Sequence, residues 1–322
     1  MSTKKILSAL LLLTSFASFS QNKVWYFGSI LYGPPWEYYS FGLDFTSFTS
    51  GTEPGPIQRN NKSVMGYYES VSVVSDENCK VLYYTNGIKV FDGSHANIAV
   101  SNPADAGDLT GTQHGSTASS VQGAYLLFKP GSTTEYYLFT SQAIDGDAHG
   151  FRVNRIDMAL PVNGTVGSPL GAVGTADSVL RPTGSEVMTA YRNCGPYTAW
   201  VITHEPNSWN FVNVLVTSNG IQSVTIQDIE TPRTFNGFSM SRGRGSMGIN
   251  ADGTHLILTG QNKIGTHVLN FNEHTGVLSN PLEIIQPAPN DHLPFHGYFS
   301  FSSIEKKNTI YLKITTLVNN WV

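Results

Sequence analysis

Several stretches of the chain carry residue types that could do chemistry. Asp145-Gly-Asp-Ala-His149 looks like a fragment of an Asp-rich calcium loop. It lacks the third acidic position, the internal glycine and the distal Glu of an EF-hand cage, and a hard cation asks for about six to eight oxygens. It reads as a solvated loop. His204-Glu205 could form a general-base pair or a metal-site fragment, but no second His follows at zincin spacing and Pro206 ends the run. A strand-end role fits it better. Asp291-His292 with His296 gives a His-x3-His spacing that works on a helix, where both rings share a face; Pro289 and Pro294 rule the helix out. Gln113-His114-Gly115-Ser116-Thr117 sets a Ser beside a His, yet no Gly-x-Ser-x-Gly elbow accompanies it.

The remaining candidates suit binding. Arg233 with Arg242-Gly-Arg244-Gly245 is a local basic cluster that reads first as a flexible loop between units and second as a contact for an acidic glycan, and it lacks the Lys-Ser/Thr ending of a phosphate loop. Trp25 and Trp200 stand inside strand-like runs and read as core. Trp36 and Trp209 stand beside turn-like segments, Pro34-Pro35-Trp36 and Pro206-Asn-Ser-Trp209, and are the candidates for ligand contact. If the chain were catalytic, Asp145, Asp147 and Glu205 would be the carboxylates to test. A glycosidase pair must stand about 5–9.5 Å apart. No residue set calls for a metal or a cofactor.

The elements that must position these residues are strands. The chain has 322 residues, 40% hydrophobic and 13% charged, with a net charge of −4. Charge is about half the usual share. No basic footprint for nucleic acid exists, and disorder and coiled coil are excluded. Short runs rich in Val, Tyr, Phe, Thr and Ile recur between Gly, Asn, Asp, Pro and Ser, the pattern of many antiparallel strands. The clearest are Val24–Phe27, Ser70–Val74, Val81–Thr85, Tyr125–Phe128, Tyr136–Thr140, Ala199–Thr203, Phe211–Val216, His255–Thr259 and Thr309–Thr315.

Five of them share one unit: an apolar strand end, a polar turn, then an aromatic or aliphatic strand. The copies are Val74–Tyr84, Phe128–Tyr137, Ala190–Trp200, Ile249–Leu256 and Phe301–Tyr311. With Tyr26 added, the anchors Tyr26, Tyr84, Tyr137, Trp200, Leu256 and Tyr311 are spaced by 58, 53, 63, 56 and 55 residues. A period in the fifties suits four strands plus loops, and sheets that small must stack to bury both faces. The expected fold is an all-β propeller, either a five-bladed ring closed by a composite blade from the first and last segments or an incomplete, truncated arc, with a pair of β-sandwiches as the alternative. The expected units are 22–69, 70–117, 118–184, 185–244, 245–294 and a partial 295–322. Cys79 and Cys194 occupy equivalent turns two units apart, beyond the reach of a disulfide, so two free thiols are expected.

Residues 1–20 supply an address. Lys4 and Lys5 precede the apolar run Ile6–Leu13, and Ser18 and Ser20 stand at −3 and −1 of a cut before Gln21. This reads as a secretory signal peptide, leaving no membrane span after cleavage.

Val24-Trp-Tyr-Phe-Gly28 and Phe41-Gly-Leu-Asp-Phe45 resemble the opening of large secreted surface proteins of Bacteroidota. Those proteins carry an N-terminal propeller-like region and a gliding-motility-type C-terminal sorting domain for type IX secretion. Leu82–Gly87, Leu127–Gly131, Trp200–Glu205 and Thr275–Pro281 follow in the same order, so the resemblance covers almost all of 22–300. It implies a secreted or cell-surface protein with no established catalytic residue set. Two departures stand out: the sorting domain is missing, and 302–322 fits the family's Ser-Pro-Asp-Gly type of turn badly. Both fit an interrupted or frame-shifted gene. The functional expectation is a non-catalytic recognition or adhesion module whose partner is a glycan or another surface protein, a fragment of a larger chain. The alternative is a polysaccharide hydrolase or lyase on the same scaffold.

Overall fold

The computed structural model describes residues 24–30, 38–44, 58–59, 71–76, 80–98, 120, 122–143, 150–160, 171–193, 198–206, 208–229, 245–260, 265–285, 296–301 and 310–315. Among these, the regular elements are all strands, arranged in antiparallel sheets of two to four. The first sheet holds β1 (Val24–Ile30), β2 (Tyr38–Asp44) and β3 (Gln58–Arg59). The second holds β4 (Ser72–Ser75), β5 (Val81–Thr85) and β6 (Val90–Asp92). The third has β7 (Ala124–Phe128), β8 (Glu135–Ser141), β9 (Phe151–Asp157) and β10 (Ala172–Arg181). The fourth has β11 (Met188–Asn193), β12 (Thr198–His204), β13 (Asn210–Thr217) and β14 (Gly220–Asp228). The fifth has β15 (Gly245–Ile249), β16 (His255–Gly260), β17 (Gly265–Phe271) and β18 (Leu278–Ile285), and the last pairs β19 (His296–Phe301) with β20 (Ile310–Thr315).

Each sheet is a meander whose strands pair in chain order. The sheets meet through their first strands: β1 touches β4, β4 touches β7, β7 touches β11, β11 touches β15 and β15 touches β19. The five repeated turns all join the first strand of a sheet to its second. In three of them polar side chains close the turn locally. Asp76 Oδ1 accepts the Lys80 N–H at 2.8 Å, Ser132 Oγ the Glu135 N–H at 2.9 Å, and Asn250 Oδ1 the Thr254 and His255 N–H groups, each at 2.8 Å.

Face-to-face stacking explains why β12 reads as a continuous apolar run rather than an alternation, because both its faces are buried. Ala199 and Val201 point into a cluster with Leu127, Phe139 and Phe151 of the third sheet. Trp200 and Ile202 point the other way, into a cluster with Met247, Leu256, Leu269 and Phe271 of the fifth. A further cluster joins Tyr83 and Val90 to Tyr136, Leu138 and Ile156 across the second and third sheets.

Two glycines let the fourth and fifth sheets close together. Gly276, at φ 71°, lies under the Trp200 ring, where a Cβ would come within 2.6 Å of ring carbons. Gly253, at φ 65°, lies under Tyr191, where a Cβ would stand 2.3 Å from Cζ. Trp200 Nε1 then donates to the Glu273 carbonyl at 2.9 Å, and Asn213 Nδ2 to the Gly276 carbonyl at 2.7 Å.

The anchor Tyr26 is out of phase with the others. It sits on the first strand of its sheet, whereas Tyr84, Tyr137, Trp200, Leu256 and Tyr311 sit on second strands. Val24-Trp-Tyr-Phe has the aromatic composition of a second strand, and composition alone does not give a strand's place in its sheet.

Candidate functional site

Ser141, Ser185, Glu186, His204 and Glu205 gather at one end of the third and fourth sheets, whereas Glu135 with Lys129 and Arg155 stands at the other end of the third. Three pairs of strand ends lie there: the end of β8 with the start of β9, the end of β10 with the start of β11, and the end of β12 with the start of β13. β8 runs into Ser141, whose hydroxyl donates to the Ser185 carbonyl at 2.5 Å. Gln142 and Gly150 hold each other across the next connection, Gln142 N–H to the Gly150 carbonyl at 3.1 Å and Gly150 N–H to Gln142 Oε1 at 2.6 Å. A Cβ on Gly150 would stand 2.3 Å from the Arg181 carbonyl oxygen, and one on Gly184 would stand 2.5 Å from Ser141 Oγ. Glycine at both positions lets the strand ends and the crossover touch.

The crossover Pro182–Val187 is tied inward by polar groups. Thr203 Oγ1 donates to the Val187 carbonyl at 2.7 Å, and the Gln122 N–H donates to the Glu186 carbonyl at 2.8 Å. The Gln122 side chain then reaches Met247 on β15, accepting its N–H at 2.7 Å and donating to its carbonyl at 3.2 Å. Glu186 and Ser185 are fully buried here. The starts of β7, β11 and β15 are thereby fastened to one another.

Glu205 stands just beyond β12, with its carboxylate largely covered. Arg181 Nε donates to Oε1 at 3.0 Å, and a second guanidinium nitrogen reaches the same oxygen. Asn210 Nδ2 donates to Oε2 at 3.2 Å. The carboxylate is thus held by a fork from β10 and an amide from β13, and it acts as a clamp between two sheets. His204 beside it is 2% exposed. Its Nδ1–H donates to the Glu205 carbonyl at 2.9 Å, and its ring meets Phe211 edge-on. Burial holds the imidazole pKa below its ordinary value, partly opposed by that hydrogen bond, so the ring is neutral near pH 7.

The other sequence candidates divide into two groups. Trp209, expected as a surface contact, is 8% exposed and packs in the cluster between the fourth and fifth sheets. Its ring stands edge-on to His267 at 4.7 Å between centroids. The turn-like Pro206-Asn-Ser before it accounts for the difference: the turn brings the chain back, and Trp209 closes the inter-sheet seam at the foot of β13. Trp200, expected as core, is buried. Asp145, Asp147, Trp36, Cys79, Cys194, Asp291, His292, the stretch 113–117, Arg233, Arg242 and Arg244 lie outside the described residues, as does the segment 1–20. The described flanks of Asp145 and Asp147, Gln142 and Gly150, nevertheless pack at the same end as Glu205, with Arg181 beside both Gly150 and Glu205.

Arg181, Gln122, Ser185 and Glu186 were not signalled by motif. The available cue was a carboxylate in Thr183-Gly-Ser-Glu-Val-Met188, a Gly turn leading into an apolar run. Among the described residues no three His, Cys, Asp or Glu side chains come together as a metal would require.

No family model matches the chain, and no curated protein matches it. Among solved structures it is similar to a protein from Bacteroides uniformis ATCC 8492 provisionally named a 6-phosphogluconolactonase. That likeness has 13% identity and a TM-score of 0.44, covering 90% of this chain and 80% of the other. It is also similar to an exo-β-1,3-galactanase from Phanerochaete chrysosporium, solved with β-1,3-galactotriose. There the identity is 11% and the TM-score 0.33, over 80% of this chain and 49% of the other.

Proposed function

We propose that the sheets are blades of a β-propeller of about 50–60-residue units and that the protein is an exported recognition module for a glycan or a cell-surface protein. The observation that carries the fold part is the succession of first strands, each touching the next in chain order. Sheets that stack face to face and meet along one strand apiece have that strand around a common axis. Gln122 supports it by bridging from the start of β7 to β15, past the intervening β11.

The engagement of Glu205 argues against that carboxylate as the general acid or base and leaves Asp145 and Asp147 as the carboxylates of an enzymatic reading. A general acid or base needs an oxygen free to exchange a proton with substrate, and both oxygens of this carboxylate are engaged by Arg181 and Asn210. The binding face is the end where the β8–β9, β10–β11 and β12–β13 connections meet, because loops from several sheets converge there. The segment carrying Arg233, Arg242 and Arg244 joins β14 to β15, so an acidic glycan is the ligand class of choice. Export rests on the signal-like 1–20, and cell-surface destination on the resemblance to Bacteroidota surface proteins. A hydrolase or lyase is the second reading, favoured by the packing of the flanks of Asp145 and Asp147 beside the Arg181–Glu205 pair.

Binding of the purified protein to a glycan array, in wild-type and variant forms, tests the assignment. Arg242→Ala with Arg244→Ala is expected to weaken binding to sulfated or uronate-bearing glycans. Trp36→Ala tests the β1–β2 connection as a separate contact. Retention of full binding in both variants would remove these residues from the proposal, and absence of glycan binding in the wild type would leave a protein ligand as the form of it to pursue.

A further inference from the structure

The outermost strands of the three four-stranded sheets are not alike. β10 meets β9 with register breaks between Val173 and Thr175, between Thr175 and Ser178, and between Val179 and Arg181, and its sequence includes Asp177 and Arg181. β18 meets β17 with breaks between Thr266 and His267 and between Val268 and Asn270. It also carries Pro281 and Glu283, next to Asn280 at φ 50°. Bulges, prolines and charges are the devices by which edge strands refuse a further strand. β14 is nearly free of them. Its single register break lies at the hairpin end, between Leu215 and Val216 of its partner. From Asn210↔Asp228 to Leu215↔Ser223 the ladder is unbroken, and residues 220–227 hold neither a charge nor a proline.

β14 is also bare where its ladder partners are covered. Val224 is 36% exposed and Ile226 47%, although the residues opposite them, Val214 and Val212, are buried. Among the described residues no strand pairs with its outer side. Among the described residues, then, the strand presents an unpaired backbone edge beside an aliphatic strip.

We propose that β14 pairs antiparallel with β14 of a second copy, joining two fourth sheets into one continuous sheet. Centred on Val224, such a pairing sets Val224 opposite Val224, Ile226 opposite Gln222 and Asp228 opposite Gly220. The one charge of the strand then lies at opposite ends of the ribbon in the two copies, so like charges do not face each other. Directly opposed residues share a face, so Val224 and Ile226 of both copies form one apolar strip. The pairing is self-complementary, as a two-fold interface must be.

Sedimentation velocity over a dilution series tests this. The wild type is expected to show a reversible monomer–dimer equilibrium. Val224→Lys, which places two ammonium groups opposite each other, should raise the dissociation constant about tenfold or more. Leu282→Lys, at a 62% exposed site on β18, should leave it unchanged. A wild type that is monomeric at every concentration, or a dimer that is the same in Val224→Lys, overturns the proposal. Should Val224→Lys fail to fold, hydrogen exchange of the wild type decides instead: amides of Ile221–Gln227 must gain protection as concentration rises, and unchanged protection overturns it equally.

Discussion

At the scale of single residues, the Arg181–Glu205 pair and His204 tie one short strand end to the elements around it. The guanidinium comes from β10, the carboxylate follows β12, and the side chains are 29% and 15% exposed. That places the pair between a surface ion pair, worth little, and a buried one whose disruption is costly. Arg181→Ala is expected to destabilise the fold by about 1–3 kcal/mol in urea denaturation, because Glu205 would stay covered with the Asn210 amide as its side-chain donor. Arg181→Lys should restore part of that loss, since one ammonium replaces a fork. His204 gives a pH dependence. Its folded pKa is held below the unfolded value near 6.5, so the unfolded chain takes up the proton first. The stability it contributes is complete above about pH 6.5 and declines as the pH falls below that. Glu135 acts lower. The hydrogen bond from Lys129, aided by the charge of Arg155 and against its own desolvation, keeps its carboxyl below the ordinary range, and its contribution is lost as the pH falls below about 4.3. Denaturation midpoints at about pH 7.5 and about pH 5.5 should therefore differ in the wild type and differ less in His204→Gln; an equal difference in both would assign the loss elsewhere.

At the scale of elements, glycine and aromatic positions fix how neighbouring sheets meet. Gly276→Ala must both hold a side chain at positive φ and push Trp200 off its seat, so a loss of about 2–4 kcal/mol is expected by calorimetry. Much of this level was readable. Each of the nine runs expected from β-branched and aromatic residues overlaps a strand, and Val81–Thr85 has the bounds of β5; Ser70–Val74 starts ahead of β4, and Ser70 and Thr309 lie outside the described residues. The five copies of the polar turn mark the connection from first to second strand, and Asp76, Ser132 and Asn250 show why, closing it with their own side chains. Strands with mixed polarity escaped. β10, Ala-Val-Gly-Thr-Ala-Asp-Ser-Val-Leu-Arg, is broken by bulges, and β14 shows water much of its surface. The site was legible where the residues were titratable, as with Glu205. It was silent where the work is done by Gln122 and Gly184, whose importance lies in what approaches them from elsewhere in the chain.

At the scale of the whole molecule, stacking in chain order makes each sheet depend on the next. The third, fourth and fifth sheets share two apolar clusters and the Gln122–Met247 bridge, so they should unfold together. Gln122→Ala removes two bonds to Met247 and leaves its backbone groups without that partner, and a single transition lowered by about 1–3 kcal/mol is expected. Two separated transitions would contradict a shared hub. Recognition without turnover is the claim on which the functional reading rests, and it is tested most directly by following a bound glycan. Mass spectrometry of an acidic oligosaccharide held with the protein through prolonged incubation should return it at unchanged mass. Shortened or unsaturated products, lost in Asp145→Asn or Asp147→Asn, would contradict recognition without turnover and make the protein an enzyme.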